Sequence, residues 1–232
     1  MASQSLETAF TMDTSSIKYG PGVTREVGYD MKNLGAARVL VVTDPNLADS
    51  EPVKTTKDAL KAQGIDVVLF DQVRVEPTDQ SFKGAIAFAA SGDFDGYVAV
   101  GGGSTMDTAK AANLYATYPA DLLDYVNPPI GKGIPVPGPL KPLIAIPTTA
   151  GTGSETTGVA IFDLLEMHAK TGIASRVLKP TLGIVDPLNM LTMPPMITTS
   201  TALDILTHAV ESYTAIADTK RPRPERPIFR PA

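Results

Sequence analysis

The sequence predicts an α/β protein with a doubly wound, mostly parallel, Rossmann-like sheet, followed by the start of an all-helical region. Short β-branched apolar runs alternate with longer segments of helical periodicity, which is typical of strands joined by crossover helices. Of the 232 residues, 43% are hydrophobic and 19% are charged, which fits a folded chain and excludes a disordered polyelectrolyte.

The elements follow from the apolar runs in chain order. The pattern predicts strands at 39–42, 67–70, 97–100 and 143–146, and helices at 53–63, 81–90 and 105–116. A Pro/Gly-rich loop at 127–142 precedes the fourth strand. Short apolar runs at 159–161, 172–174 and 182–185 have no long helix between them, so we expect extra, partly antiparallel strands there. After Pro194 and Pro195, residues 201–213 have helical spacing.

Three regions are expected along the chain. An α/β domain covers residues 1–190, and the first part of a helical domain covers 191–216. Residues 217–232 are rich in Pro and Arg, and we expect this tail to be disordered or extended because proline removes amide donors and blocks helices. The tail is either a docking sequence or simply a loop before a further element.

Charge and composition exclude several classes of function. The net charge of -5 argues against nucleic acid as a partner, and the absence of cysteine excludes disulfides and thiolate chemistry. No apolar run approaches the ~20 residues that a membrane span requires. The first nineteen residues show no signal or transit peptide. We therefore expect a soluble protein, in the mitochondrial matrix if it is eukaryotic and has lost its transit peptide, and otherwise in the cytoplasm.

A glycine-rich loop follows the third predicted strand. Gly101, Gly102 and Gly103 lead into a helix, where backbone amides can approach an anion without obstruction by a Cβ atom. Ser104 and Asp107 have the spacing of a capping box. The loop therefore predicts a cradle for a pyrophosphate, although an ordinary strand-to-helix turn would show the same pattern.

A second loop of small residues follows the fourth predicted strand. It carries the hydroxyls of Thr148, Thr149 and Thr152, and Thr152 with Glu155 again has capping-box spacing. Two such loops after adjacent parallel strands could hold a dinucleotide, one at its pyrophosphate and one at its nicotinamide ribose. A purely structural hydroxyl-rich turn is the alternative. Neither loop has the Walker pattern, and no Gly-x-Ser-x-Gly elbow is present.

Three further residues carry candidate chemistry. Asp44 ends the first predicted strand, where a carboxylate can accept hydrogen bonds from an adenosine ribose and favour NAD over NADP; it also suits a simple turn before Pro45. Asp204 and His208 lie four residues apart, so both face one side of a helix and could bind one metal ion. The alternative is that Asp204 belongs to a helix cap with Thr201 and that His208 is a core residue.

Taken in order, these motifs resemble the iron-containing (group III) alcohol dehydrogenases. The resemblance rests on the 101–104 glycine loop with Asp107 and Lys110, on the 147–155 loop, and on the pair Asp204 and His208. It implies a dinucleotide-binding domain, a helical metal-binding domain and an active site between them. It also implies a stop inside the helical domain: the family's other two metal ligands are later histidines, and no histidine follows His208.

The resemblance assigns roles to individual positions. It implies that NAD and Fe²⁺, or alternatively Zn²⁺, are the cofactors, with no catalytic residue besides the metal ligands. The implied NAD-binding residues are Asp44, Gly101, Gly102, Gly103, Ser104, Asp107, Thr148, Thr149, Thr152 and Lys170, and the implied metal ligands are Asp204 and His208.

The resemblance also implies a reaction. Hydride would pass from a small hydroxyacid, 4-hydroxybutyrate, to bound NAD and then to an oxoacid, 2-oxoglutarate, with a homodimer as one open assembly. We expect this chain to be inactive alone, since two ligands are missing from it. Two alternatives stay open: another iron- or zinc-dependent alcohol or polyol dehydrogenase, and a non-catalytic binding fragment.

Overall fold

The computed structural model describes residues 15–215, and it confirms the doubly wound α/β fold. The proposed tail at 217–232 lies outside the described residues. The strands are β1 (Ile17–Tyr19), β2 (Arg38–Val42), β3 (Asp66–Phe70), β4 (Gly96–Gly101), β5 (Leu143–Pro147), β6 (Val159–Leu164), β7 (Ala169–Ala174) and β8 (Leu182–Val185). The α-helices are α1 (Val27–Asn33), α2 (Glu51–Ala62), α3 (Asp79–Ala90), α4 (Gly103–Thr117), α5 (Leu122–Tyr125) and α6 (Pro195–Thr214).

Six strands form one parallel sheet in the order β1-β8-β5-β4-β2-β3. From β2 the chain moves outward to β3 and then returns to the other side of β2 to form β4. The order therefore reverses between β2 and β4. In open α/β sheets, ligands bind outside the carboxyl ends of the strands at such a reversal point.

Apolar side chains cover both faces of this sheet, as parallel strands require. On one face, α1 and α2 contribute Val27, Met31 and Leu60, which are fully buried against the strands. On the other face, α3 and α4 pack their alanines and Met106 against the sheet. The small side chains of these two helices let them lie close to the strands and to each other.

The strands β6 and β7 form a separate antiparallel hairpin, as expected for the apolar runs at 159–161 and 172–174. The hairpin packs on α3 and α4, where the rings of Phe82 and Phe162 lie 5.1 Å apart. The hairpin therefore lies beside the start of α4, next to the carboxyl edge of the sheet.

Three details differ from the sequence-based expectations. Residues 182–185 were expected among the extra strands, but β8 pairs in parallel with β1 and β5 inside the main sheet. The helix after the double proline begins at Pro195, because proline fits the first turn, where its missing amide has no intrahelical partner. Thr201 therefore lies inside α6 and donates to the Ile197 carbonyl, so the helix-cap alternative for Thr201 and Asp204 is wrong.

Among the described helices, none is long and apolar enough to cross a membrane.

The carboxylate of Asp186, which is only 2% exposed, ties the end of β8 to the segment before α1. It accepts hydrogen bonds from the amides of Gly22, Thr24 and Leu188, at 2.9, 3.1 and 3.1 Å, and from the Thr24 hydroxyl at 2.8 Å. Burial raises the pKa of Asp186, but these donors outweigh burial and hold the pKa below its usual value.

The stability of the fold should therefore decrease in acid partly through Asp186. A folded-state pKa below the unfolded value contributes stability above the unfolded pKa, and this contribution is lost as pH falls through the folded pKa. We expect Asp186→Ala to cost about 2 kcal/mol near neutral pH, because four donors lose their acceptor, two of them on the buried Thr24, and to cost less in acid. Urea unfolding at several pH values measures this, with Asp58→Asn on the exposed face of α2 as the control. An equal loss at every pH would show that Asp186 does not titrate with folding.

Candidate functional site

Three loops meet at the carboxyl edge of the central strands. β4 lies between β2 and β5, with Gly101 opposite Pro147. The amide of Thr148 donates to the Gly101 carbonyl at 3.0 Å, and the Thr43 hydroxyl donates to the Val100 carbonyl at 2.8 Å. The loops that begin at Asp44, Gly101 and Thr148 are therefore neighbours, as expected from adjacent parallel strands.

The glycine loop leads directly into α4. Gly102 is the residue before the first turn, with extended backbone angles and no side-chain cap. The amides of Gly103 and Ser104 have no carbonyl one turn earlier to bind, so they remain donors, whereas the Thr105 amide donates to the Gly102 carbonyl at 3.1 Å. The helix dipole adds positive potential at this end. This is the arrangement that binds phosphate groups in other folds.

The predicted capping box of Ser104 and Asp107 is wrong. Ser104 lies inside the first turn of α4, and its hydroxyl accepts a hydrogen bond from the Glu76 amide at 3.2 Å. Asp107 accepts from the Ile161 amide of the hairpin at 3.0 Å. Both side chains hold neighbouring segments around the helix start instead of capping the helix.

The glycines also allow the two loops to touch. A Cβ atom at Gly103 would lie 2.9 Å from the Thr152 side chain, and one at Gly101 would overlap Thr105. At Gly102 a Cβ atom would lie 3.3 Å from the Thr149 hydroxyl, the least crowded of the three positions. Gly101 and Gly103 are therefore required by packing, whereas a side chain at position 102 would mainly occupy the open cleft.

The loop after β5 forms turns instead of a helix. The Thr152 hydroxyl accepts from the Ser154 amide at 3.2 Å, and no helix starts before β6. The second predicted capping box, Thr152 with Glu155, is therefore wrong. The hydroxyl-bearing residues stay at the edge of the cleft because this turn holds them there.

A cavity of about 680 Å³, cavity 1, opens between the three loops. This volume is within the usual range for cofactor and ligand sites. Its lining includes most of the positions that the sequence assigns to a dinucleotide: Asp44, Gly102, Gly103, Ser104, Thr148, Thr149 and Thr152.

A second cavity of about 500 Å³, cavity 2, continues from the first. The two cavities share Gly103, Ser104 and Thr152 in their linings, so they meet at the glycine loop. Of the remaining sequence-predicted positions, four line cavity 2: Asp107, Lys170, Asp204 and His208. Gly101 lines neither cavity. A ligand longer than either cavity could therefore lie across the glycine loop and extend into both.

Asp44 fits both of its interpretations. Its side chain lines cavity 1 and is buried, with 8% exposed. One carboxylate oxygen accepts from the Asn46 amide at 2.9 Å, which is the turn contact. The other oxygen is not needed for that contact, so the turn orients the carboxylate while leaving it an acceptor for a ligand hydroxyl.

Asp204 and His208 lie on one face of α6 at the edge of cavity 2. The distance between the Asp204 Oδ1 and His208 Nε2 atoms is 3.7 Å. Among residues 15–215, no third His, Cys, Asp or Glu joins them to form a group that could hold a metal ion. Catalytic zinc sites have three protein ligands, so this pair fits part of a metal site and does not form one alone.

Comparison with known proteins identifies the family of the chain. Residues 14–187 match the family model described as iron-containing alcohol dehydrogenase. The chain belongs to the iron-containing alcohol dehydrogenase family.

Within this iron-containing alcohol dehydrogenase family, the curated relatives carry a narrower name. The chain is 61% identical over 226 residues to "Hydroxyacid-oxoacid transhydrogenase, mitochondrial" of Mus musculus, covering 97% of this chain and 49% of that protein. The chain thus spans about half the length of the curated relatives it matches. The resemblance inferred from the motifs is confirmed.

Two solved structures have the same fold as this chain. A 1,3-propanediol oxidoreductase superposes with a TM-score of 0.81 at 35% identity, covering 88% of this chain and 53% of that one. The sulfoacetaldehyde reductase of Bifidobacterium kashiwanohense, solved in complex with NAD+, superposes with a TM-score of 0.79 at 30% identity, covering 88% and 54%.

A buried ion pair lies behind the glycine loop. Lys110 is fully buried, and its ammonium lies 3.6 Å from the carboxylate of Asp107 on the next turn of α4. The ammonium also donates to the Val159 carbonyl of β6 at 2.9 Å. Burial lowers the pKa of Lys110 and raises the pKa of Asp107, while each partner opposes the shift of the other. The pair attaches the hairpin to α4.

Glu76 is a charged residue of cavity 2 that the sequence patterns did not indicate. Its carboxylate lies 2.5 Å from the Lys170 ammonium of β7. This contact raises the pKa of Lys170. The position of Glu76 in the chain could have indicated it, because the segment after β3 also ends at the carboxyl edge of the sheet. However, β2 lies between β3 and β4, so the loop after β3 does not follow a strand adjacent to the one before the glycine loop.

Proposed function

We propose that this chain is the cofactor-binding half of an NAD-dependent oxidoreductase that moves hydride between a small hydroxyacid and an oxoacid. The observation that carries the proposal is the pair of joined cavities, which run from Asp44 past the glycine loop to Asp204 and His208. The 61% identity to a hydroxyacid-oxoacid transhydrogenase supports the substrate classes. Within these classes we propose 4-hydroxybutyrate and 2-oxoglutarate, the substrates that the family resemblance implies.

The proposed dinucleotide lies across the glycine loop. Asp44 accepts from the adenosine ribose, and the first-turn amides at Gly103 and Ser104 donate to the pyrophosphate. The residues Thr148, Thr149 and Thr152 line the nicotinamide half, with Lys170 beside it. Asp107 contributes by fixing the hairpin against α4, since its carboxylate already accepts from Ile161.

The proposed metal is a divalent ion, iron or zinc. Asp204 and His208 would supply two ligands, and the remaining ligands would come from outside the described residues. Such an ion, when bound, acts as a Lewis acid on a substrate hydroxyl oxygen and so favours hydride departure. The role of this chain is to place the nicotinamide ring next to the ion.

Other parts of the proposal rest on the relatives alone. The names of the curated relatives include "mitochondrial", which supports a place in the mitochondrial matrix. The substrates are small molecules. A polyol or alcohol dehydrogenase is the second candidate, supported by the 35% identity to 1,3-propanediol oxidoreductase.

A titration of the chain with NADH tests the cofactor site. We expect weak binding, with amide resonances of residues 101–104 and 148–152 shifting in NMR spectra. Gly102→Val should weaken binding at least about tenfold, because the side chain occupies the cradle, while stability changes by less than about 1 kcal/mol. The extended backbone of Gly102 accepts valine without strain.

Gly20→Val is the matched control, since no atom lies within 4 Å of a Cβ placed there and Gly20 is not part of either cavity. It should bind NADH as the unchanged chain does. No shifts at about 10 mM NADH, where millimolar sites are largely filled, would refute the proposed site. Undiminished binding by Gly102→Val would place the dinucleotide elsewhere.

A further inference from the structure

The backbone of Glu76 has an unusual conformation. Its φ angle is 56°, in the left-handed region that side chains with a Cβ atom adopt at a cost, and glutamate is not among the residues that favour it. Such a conformation persists when surrounding contacts hold it, and it occurs often at functional sites. The contacts of Glu76 therefore indicate what holds it.

Two contacts of Glu76 reach opposite walls of cavity 2. Its backbone amide donates to the Ser104 hydroxyl of the glycine loop at 3.2 Å. Its carboxylate lies 2.5 Å from the ammonium of Lys170, which also has Asp163 at 3.9 Å. One residue thus connects the start of α4 with the hairpin.

The hairpin also holds the residues that follow Glu76. The Asp163 amide donates to the Pro77 carbonyl at 2.8 Å, and Thr78 forms an isolated bridge with Asp163. The residues that follow Glu76 in the chain therefore fix its position along the cleft. The ion pair with Lys170 then fixes its side chain, and the left-handed backbone directs its amide at Ser104.

We propose that Glu76 is a positioning residue that couples the Lys170 side of the cleft to the phosphate-binding side through its side chain and its amide. The inference rests on the proposed dinucleotide site, because it concerns how the two ends of one cofactor are held together. With residue 76 fixed, Ser104 and Lys170 are ordered before the cofactor arrives, so binding costs less conformational entropy.

The coupling can be tested without any ligand. Lys170→Ala removes the ion pair, and we expect the NMR amide resonances of Gly103 and Ser104 to shift because the Glu76 amide relaxes away from Ser104. Lys132→Ala removes another exposed ion pair, with Asp124 at 2.7 Å, and should leave those resonances in place. Unmoved resonances in Lys170→Ala would overturn the proposal. Both side chains of the Glu76 pair are more than half exposed, so the fold should be retained.

A second arm uses ADP, which has the adenosine and pyrophosphate groups but no nicotinamide. Lys170→Ala should weaken ADP binding about threefold, although ADP does not reach Lys170, because Ser104 loses its position. The same change in a Glu76→Ala chain should have no further effect, since the connection is already broken.

Glu76→Asn separates the backbone from the charge. Asparagine tolerates the left-handed region, so this variant should keep the Ser104 contact and bind ADP within about twofold of the unchanged chain, unlike Glu76→Ala. Equal ADP binding by Lys170→Ala and the unchanged chain would refute the coupling. If the unchanged chain binds neither ADP nor NADH, the proposed function fails, and the ligand-free comparison still decides whether Glu76 couples the two walls.

Discussion

Replacing Lys110 with methionine should lower the free energy of unfolding by about 3 kcal/mol near neutral pH, because removing one partner of a buried ion pair leaves the other charge uncompensated. Lys110 is fully buried and Asp107 is 13% exposed in its side chain. Methionine fills most of the space of the lysine stem, so lost packing is a minor part of the effect. Chemical denaturation of the two chains measures the difference.

The loss should depend on pH in a defined direction. Burial raises the folded-state pKa of Asp107, and removing the nearby ammonium raises it further. A raised folded pKa contributes stability that is present below the unfolded pKa and is lost as pH rises through the folded value. The destabilisation by Lys110→Met should therefore be smaller near about pH 5 than near about pH 8, at up to about 1.4 kcal/mol for each unit of pKa shift.

The double variant Lys110→Met with Asp107→Asn provides the control. Asparagine keeps an acceptor for the Ile161 amide, which Asp107 binds at 3.0 Å, but carries no charge. We expect it to recover part of the lost stability near pH 8 and to remove the pH dependence. If Lys110→Met loses the same free energy of unfolding at all pH values, the charge of Asp107 is not the cause of the destabilisation.

The order of strands and helices could be predicted from the sequence because it depends on local patterns. Each central strand is an apolar run bounded by turn residues, and the predicted strand 97–100 is within one residue of the observed Gly96–Gly101 at both ends. The proximity of the glycine loop and the loop after β5 could also be predicted, because adjacent parallel strands end at the same edge of the sheet. β1 was missed, since it has three residues and alternates between exposed and half-buried positions. The partners of β8 depend on contacts distant in the chain, which periodicity does not report.

The candidate site could be predicted as a set of positions, but its internal contacts could not. The spacing of Ser104 and Asp107 is that of a cap, yet Ser104 binds Glu76 and Asp107 binds the hairpin. Both partners come from segments 28 and 54 residues away along the chain, so no local rule could select them. The role of Glu76 depends on the same distant contacts.

Gly28→Ala should destabilise the fold by about 2–3 kcal/mol, the upper part of the range of about 1–3 kcal/mol for inserting a methyl group where there is no room. Gly28 lies in α1 directly against α2, and a Cβ atom there would overlap the carbonyl of Ala59. A backbone carbonyl inside a helix cannot rotate away as a side chain can, so the two helices must separate. Their separation weakens the burial of Val27, Met31 and Leu60 in the core on that face of the sheet.

Helix propensity opposes this destabilisation, so the control is a Gly-to-Ala substitution in a helix where the added Cβ atom meets no other atom. Alanine favours a helix interior over glycine by about 0.5–1 kcal/mol, which is less than the cost of the overlap. Gly84 lies inside α3, and a Cβ atom added there would have no other atom within 4 Å, so Gly84→Ala should stabilise the fold by that amount. Denaturation curves of the two variants should therefore shift in opposite directions from the same substitution. A stabilised Gly28→Ala chain would mean that α1 does not lie against the backbone of α2, and the close packing on that face of the sheet would then have to be abandoned.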